Sequence, residues 1–138
     1  MVRIKNESIK EVVIALNSTC NSLMQRADRA IKADTQLNVT QLLIINAILH
    51  SECISQQDLA QMLSISQPAI SKQLNSLIAK DLATEVKSSK RSWTIQLTKQ
   101  GEKEFHKAFS VYDTTCNDYF RALGDQGLQQ LLSLLKKL

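Results

Sequence analysis

A chain of 138 residues with 43% apolar side chains is long enough to bury one core, and its three glycines and one proline leave few breaks. It is therefore expected to form a single, mostly helical domain. Three widely spaced cysteines exclude a disulfide framework and a CxxC zinc or redox motif. The net charge of +4 is not spread evenly along the chain, as shown below.

The first stretch, MVRIKNESIKE, is charged from its third residue and does not resemble a signal peptide, and the longest apolar run falls far short of a membrane span. A cytoplasmic protein with no membrane partner is expected. Ile9, Val12, Val13, Leu16, Cys20, Leu23, Ala27 and Ile31 then trace one stripe along a long first helix. Thr40 can cap a second helix, Gln41 to His50, which is apolar nearly all round and so belongs at the centre of a core.

Ser55 and Asp58 have the spacing of a capping box for a short third helix carrying Leu59, Ala60, Met62 and Leu63. After Ser64 and Ile65, Ser66 is the next cap, and Pro68 falls in a first turn, where its missing N–H costs nothing. The fourth helix turns Ile70, Leu74, Leu77 and Ile78 inward. Gln67, Pro68, Ser71, Lys72 and Asn75 are left on the other side. That side bears hydroxyl, amide and ammonium groups and no acid, a set suited to base edges and phosphates.

Ala83 to Val86 and Trp93 to Leu97 read as strands, the second alternating Trp93, Ile95 and Leu97 with Thr94 and Gln96. Between them Lys87, Lys90 and Arg91 stand in a tip without anions. Two short helices and a basic hairpin are the layout of a winged helix-turn-helix. From Gln67 to Lys103 there are seven bases and three acids, so this segment carries the whole net charge and the remainder is neutral.

After Gly101 a long helix presents Phe105, Phe109, Tyr112, Cys116, Tyr119, Phe120 and Leu123 on one side. The chain turns between Gly124 and Gly127, with Asp125 as cap. It ends in a Leu-rich helix containing Leu128, Leu131, Leu132, Leu134, Leu135 and Leu138. Such a helix covers either the long helix of its own chain or a second subunit. Cys20 and Cys116, on apolar stripes, read as small buried hydrophobes, and Cys53 as the exposed cysteine.

An enzyme is disfavoured. The two histidines, His50 and His106, lack HxxxH or HExxH spacing, and neither a phosphate-binding glycine loop nor a nucleophile elbow is present. About 15 Å of helix separates His106 from Cys116, too far for a nucleophile and base within one chain. No catalytic residue, metal ligand or cofactor site is assigned.

In SQQDLAQMLSISQPAISKQLNSLIAKDLA, in Arg91 with Trp93, Ile95, Leu97, Thr98 and Gly101 (an LTxxG ending), and in LGDQGLQQLLSLLKKL, the chain resembles the MarR-type (multiple antibiotic resistance regulator) transcriptional regulators. It departs from them where Ser89 replaces the acid usual two residues before the wing arginine, in a short loop without glycine or proline, and in having Leu43 where a glutamine is common. The resemblance implies an obligate-type homodimer. Residues 1–33 and 100–138 would supply dimerisation helices through Val12, Leu16, Leu23, Leu128, Leu131, Leu135 and Leu138, and residues 38–98 a DNA-binding lobe. It further implies a regulator, a repressor, that reads a palindromic double-stranded operator through Ser66, Gln67, Pro68, Ser71, Lys72, Asn75, Lys87, Lys90 and Arg91. A small, often aromatic, ligand between lobe and dimer helices would release it. The other readings are a winged-helix adaptor for protein partners, and an oxidant sensor using a first-helix thiol. Cys20 lies in that helix, with no Lys, Arg or His at helical spacing before it to lower its pKa.

Overall fold

The computed structural model describes residues 6–51, 54–89 and 92–138, with side chains omitted at Asn6 and at 87–94. Among the described residues six α-helices and one two-stranded sheet follow in chain order: α1 (Asn6–Asp34), α2 (Val39–Leu49), α3 (Gln56–Leu63), α4 (Gln67–Ala79), β1 (Ala83–Ser89), β2 (Ser92–Leu97), α5 (Lys99–Phe120) and α6 (Gly124–Leu135). A 3-10 turn, Arg121–Leu123, joins the last two helices. The architecture is mostly helical with a small antiparallel wing, the winged helix-turn-helix expected.

The core lies inside the lobe. Leu42, Ile44 and Ile45 of α2 are buried against Leu59 of α3 and Ile70, Leu74 and Leu77 of α4, with Leu82, Ala83 and Ile95 from the sheet and Phe105 and Ala108 from α5. Ala27 and Ile31, near the end of α1, close it from the other side. The central place given to α2 holds, although Leu49 at its end is exposed.

Local chemistry sets the helix boundaries. Ser55 and Asp58 form the capping box at α3. The chain turns at Ser64 through a left-handed residue (φ 55°), and the Ser66 hydroxyl accepts from the Ala69 N–H to open α4. At α2 the cap is Asn38 and not Thr40. The Asn38 side chain accepts from the Gln41 N–H while the Gln41 side chain accepts from the Asn38 N–H, so both orphan donors are met.

Three further boundaries differ from expectation. The strands run on to Ser89 and start at Ser92, pairing Ala83 with Leu97 and Lys87 with Trp93, with an irregularity between Lys87 and Ser89. Cross-strand pairing thus carries polar residues of weak strand preference. Helix α5 begins at Lys99, ahead of Gly101, because Thr98 caps it by accepting from the Gly101 N–H. Asp125 is not a cap but lies in the first turn of α6, and Gly127 is inside that helix. Gly124, at φ 65°, makes the reversal that a side chain would resist.

Thr98 also donates its hydroxyl to the Asp81 carbonyl, and a Cβ on Gly101 would stand 1.8 Å from the Leu82 carbonyl oxygen. The LTxxG ending is thus a weld: the threonine ties the foot of the wing to the helix start, and the glycine lets two backbones touch.

Candidate nucleic-acid interface

Helix α4 is seated by its apolar side. Ile70, Leu74 and Leu77 are fully buried, which fixes the rotation of the helix and turns Gln67, Pro68, Lys72 and Asn75 to solvent. Ser66 is exposed at its cap, and the first turn holds no acid, so the positive end of the helix dipole faces outward with nothing to neutralise it there. Such a face attracts phosphate and offers amide and ammonium groups to base edges.

Ser71 is placed differently. It is half-buried, and its hydroxyl donates to Gln56 Oε1 at 2.5 Å, bracing α4 against the start of α3. Its oxygen still has accepting capacity, but its proton is committed.

The wing stands beside this helix. Ile95 is buried and Ala83 pairs with Leu97 at its foot, so the hairpin is rooted in the core while its strands run outward. Lys87 lies on β1 opposite Trp93. Lys90 and Arg91, the tip cations, lie outside the described residues, as does Cys53.

Polar ties invisible in the sequence pattern hold the lobe to the long helices. Glu104 of α5 is buried and accepts from the Gln36 N–H at 2.7 Å. Lys80, at the end of α4, donates to the Gln36 carbonyl at 3.1 Å. The Asn38 amide donates to Gln73 Oε1 on α4 at 3.1 Å, and Asp28 of α1 accepts from the Val39 N–H at 3.0 Å while paired with Lys32 at 2.7 Å. Burial alone would raise the Asp28 pKa, but the Lys32 contact and the Val39 N–H outweigh it and hold the carboxyl below its ordinary value.

At the chain ends, Val12 is 56% and Leu16 38% exposed, and Leu128, Leu135 and Leu138 are exposed too, with Leu23 and Leu131 half-buried. The first half of the α1 stripe therefore has no cover among the described residues. Helix α6 packs chiefly on the 3-10 turn before it and buries none of its residues. The second half of α1 packs along α5, where Arg26 stands 5.3 Å over the Tyr119 ring.

Cys20 is exposed and not buried as its stripe position suggested, because that part of the stripe is uncovered. Cys116 is half-buried. Burial pushes its thiol above the ordinary range, a Tyr112 hydrogen bond opposing this and the charge of Asp113 adding to it, which favours the protonated form. His50 ends α2 with its Nδ1 2.8 Å from the Asn46 carbonyl oxygen, and His106 lies against Phe105. No helix among the described residues is long and apolar enough to cross a membrane.

A cleft of about 580 Å³ opens between α2, β2 and the start of α5. Ile45, Ile48, Ile95 and Phe105 line it, together with Glu102 and His106.

The MarR family model matches residues 35–92. No curated protein matches the sequence. Among solved structures, a MarR/EmrR family transcriptional regulator from Acinetobacter sp. ADP1 is similar at 21% identity and TM-score 0.80, over 97% of this chain and 94% of that one. A mutant MarR from E. coli complexed with operator DNA is similar at 17% identity and TM-score 0.80, over 98% of each chain. CouR from Rhodococcus jostii RHA1, bound to p-coumaroyl-CoA, is similar at 16% identity and TM-score 0.77, over 91% and 89%. The fold is that of the MarR transcriptional regulators.

Proposed function

Starting from a winged-helix segment that matches the MarR family and a chain with the fold of its regulators, we propose that this protein is a sequence-specific DNA-binding transcriptional regulator. It reads a palindromic operator as a homodimer in the cytoplasm. The observation that carries this reading is the exposed, acid-free face of α4, seated on Ile70, Leu74 and Leu77 and opening at an outward-facing helix N-terminus. Residues 38–98 are the DNA-binding lobe. Ser66, Gln67, Pro68, Lys72 and Asn75 meet the major groove, with Ser71 as an acceptor only, and Lys87, Lys90 and Arg91 of the wing meet the flanking backbone.

The terminal segments 1–33 and 100–138 form the dimer. Val12, Leu16, Leu128, Leu135 and Leu138 need a cover that the described residues do not supply, and Leu23 and Leu131 adjoin them. A dimer seated across adjoining major grooves occludes that DNA, so repression is the proposed sign. The MarR complex with operator DNA supports the DNA partner. The cleft between α2, β2 and α5 is the proposed seat of a releasing ligand, its apolar walls suiting an aromatic ring, and CouR bound to p-coumaroyl-CoA supports a small-molecule partner.

Binding to mixed-sequence duplex DNA, titrated with salt, tests the reading. Affinity falling steeply as salt rises is the expected result. Absence of binding at low salt overturns it and favours a protein-binding adaptor.

A further inference from the structure

We propose that the peptide segment Gln36–Val39, gripped from both sides by polar side chains, is the strut that sets the orientation of α4, with Glu104, Lys80 and Gln73 as its positioning residues. The inference rests on the DNA-binding reading and names the part of the chain that fixes the spacing of the two α4 helices in a dimer.

The segment links α1 to α2, yet both adjoining halves of the fold hold it. From the long helices come Glu104, whose buried carboxylate accepts from the Gln36 N–H, and Asp28, which accepts from the Val39 N–H. From α4 come Lys80, which donates to the Gln36 carbonyl, and Gln73, which accepts from the Asn38 amide. The Gln36 residue is thus bonded on its N–H to α5 and on its carbonyl to the end of α4. The partners lie 68 and 44 residues away in the chain, so these bonds do not arise from local helix or turn geometry. Thr35 stiffens the strut: its hydroxyl donates to the Ile31 carbonyl and accepts from the Leu37 N–H.

The two ties on α4 are about half the helix apart, roughly 10 Å at 1.5 Å per residue. Lys80 is at the C-cap, and Gln73 is near the middle, so together they fix tilt as well as position. Apolar packing sets the depth and rotation of α4, and the hydrophobic effect behind it is non-directional. Directional hydrogen bonds at two separated points, the one from Lys80 charge-assisted, hold the helix to one geometry. None of these residues lies on the face assigned to DNA.

The test uses the full-length protein, first with a palindromic duplex selected by the wild-type dimer from a random library, then with the same half-sites moved apart one base pair at a time, and with a single half-site. Lys80→Met removes the exposed ammonium and leaves the core intact. Glu104→Gln keeps an accepting oxygen and serves as the conservative partner to Glu104→Ala. The expected result is about a tenfold loss on the optimal palindrome for Lys80→Met and Glu104→Ala, the size of one charged hydrogen bond. A flattened spacing preference, unchanged single half-site binding and substantial recovery in Glu104→Gln should accompany it. Variants that keep the wild-type spacing profile, or that lose half-site and palindrome binding equally, overturn the strut while leaving the DNA-binding reading intact. A wild-type protein that binds no duplex overturns both.

Discussion

A methyl group added at Gly101 would meet the Leu82 carbonyl oxygen at 1.8 Å, and neither backbone can retreat without opening the foot of the wing. Gly101→Ala should therefore cost about 3 kcal/mol or more, an overpacking penalty at the top of the usual range; a thermal melt within a degree of wild type would show that the weld yields freely. On α4, Gln67→Ala and Lys72→Ala should each cost about 1–3 kcal/mol on the operator and much less on random duplex, measured by competition binding. Ser71→Ala should lower stability as well as operator affinity, since the hydroxyl proton is spent on Gln56 and only its oxygen can accept from a base. That difference was not legible in the sequence. Helical spacing puts Ser71 beside Lys72 on one face, but whether a hydroxyl on that face is free depends on Gln56, fifteen residues earlier and on another helix. Gly101 was legible as a motif member, and its cause became visible only with Leu82 opposite it.

Two helix starts were legible from a cap and its partner in a short stretch of chain, Ser55 with Asp58 and Ser66 before Pro68, whereas the equally local Thr98 cap of α5 was not. The same rule reaches Asn38 with Gln41, but Thr40 is an equally good capping residue by type, and only the observed pair of reciprocal bonds separates them. The joint between α1 and α2 also titrates. The Asp28 carboxyl is held below 3.8 by Lys32 and the Val39 N–H, so the folded state favours its ionised form. Its contribution is complete above about pH 4 and is lost as the pH falls through the lowered value. Asp28→Asn should be less stable than wild type at neutral pH, with the gap closing on acidification below pH 4; urea midpoints at neutral and acid pH check this, and a gap independent of pH would contradict it. For the wing, replacing Lys90 and Arg91 by Ala should weaken operator and random DNA alike and lower the salt slope by about one unit per lost phosphate contact. An unchanged slope would turn the wing away from DNA.

At the scale of the whole molecule, the apolar stripe of α1 and the leucines of α6 were plain in the sequence, but periodicity cannot say whether a stripe is covered by its own chain or by another. The structure leaves Val12 and Leu128 exposed, and α6 stands almost clear of the body. Truncation after Leu123 should give a monomeric or aggregating chain that keeps its lobe but loses operator affinity by orders of magnitude, because two α4 helices no longer share a fixed separation. A truncated chain that sediments as a dimer and binds normally would return those leucines to intramolecular packing. The close approach at Gly101 also makes α5 a mechanical lever. With its first turn welded to the lobe, the 22-residue helix runs on as one arm, roughly 28 Å from the weld to Phe120 at 1.5 Å per residue. In the proposed dimer the far end is the fulcrum, and a swing of about 5° moves the lobe by roughly 2.5 Å, most of the 3.4 Å rise between base pairs. A rotation that small is enough to take one half-site out of step with the other.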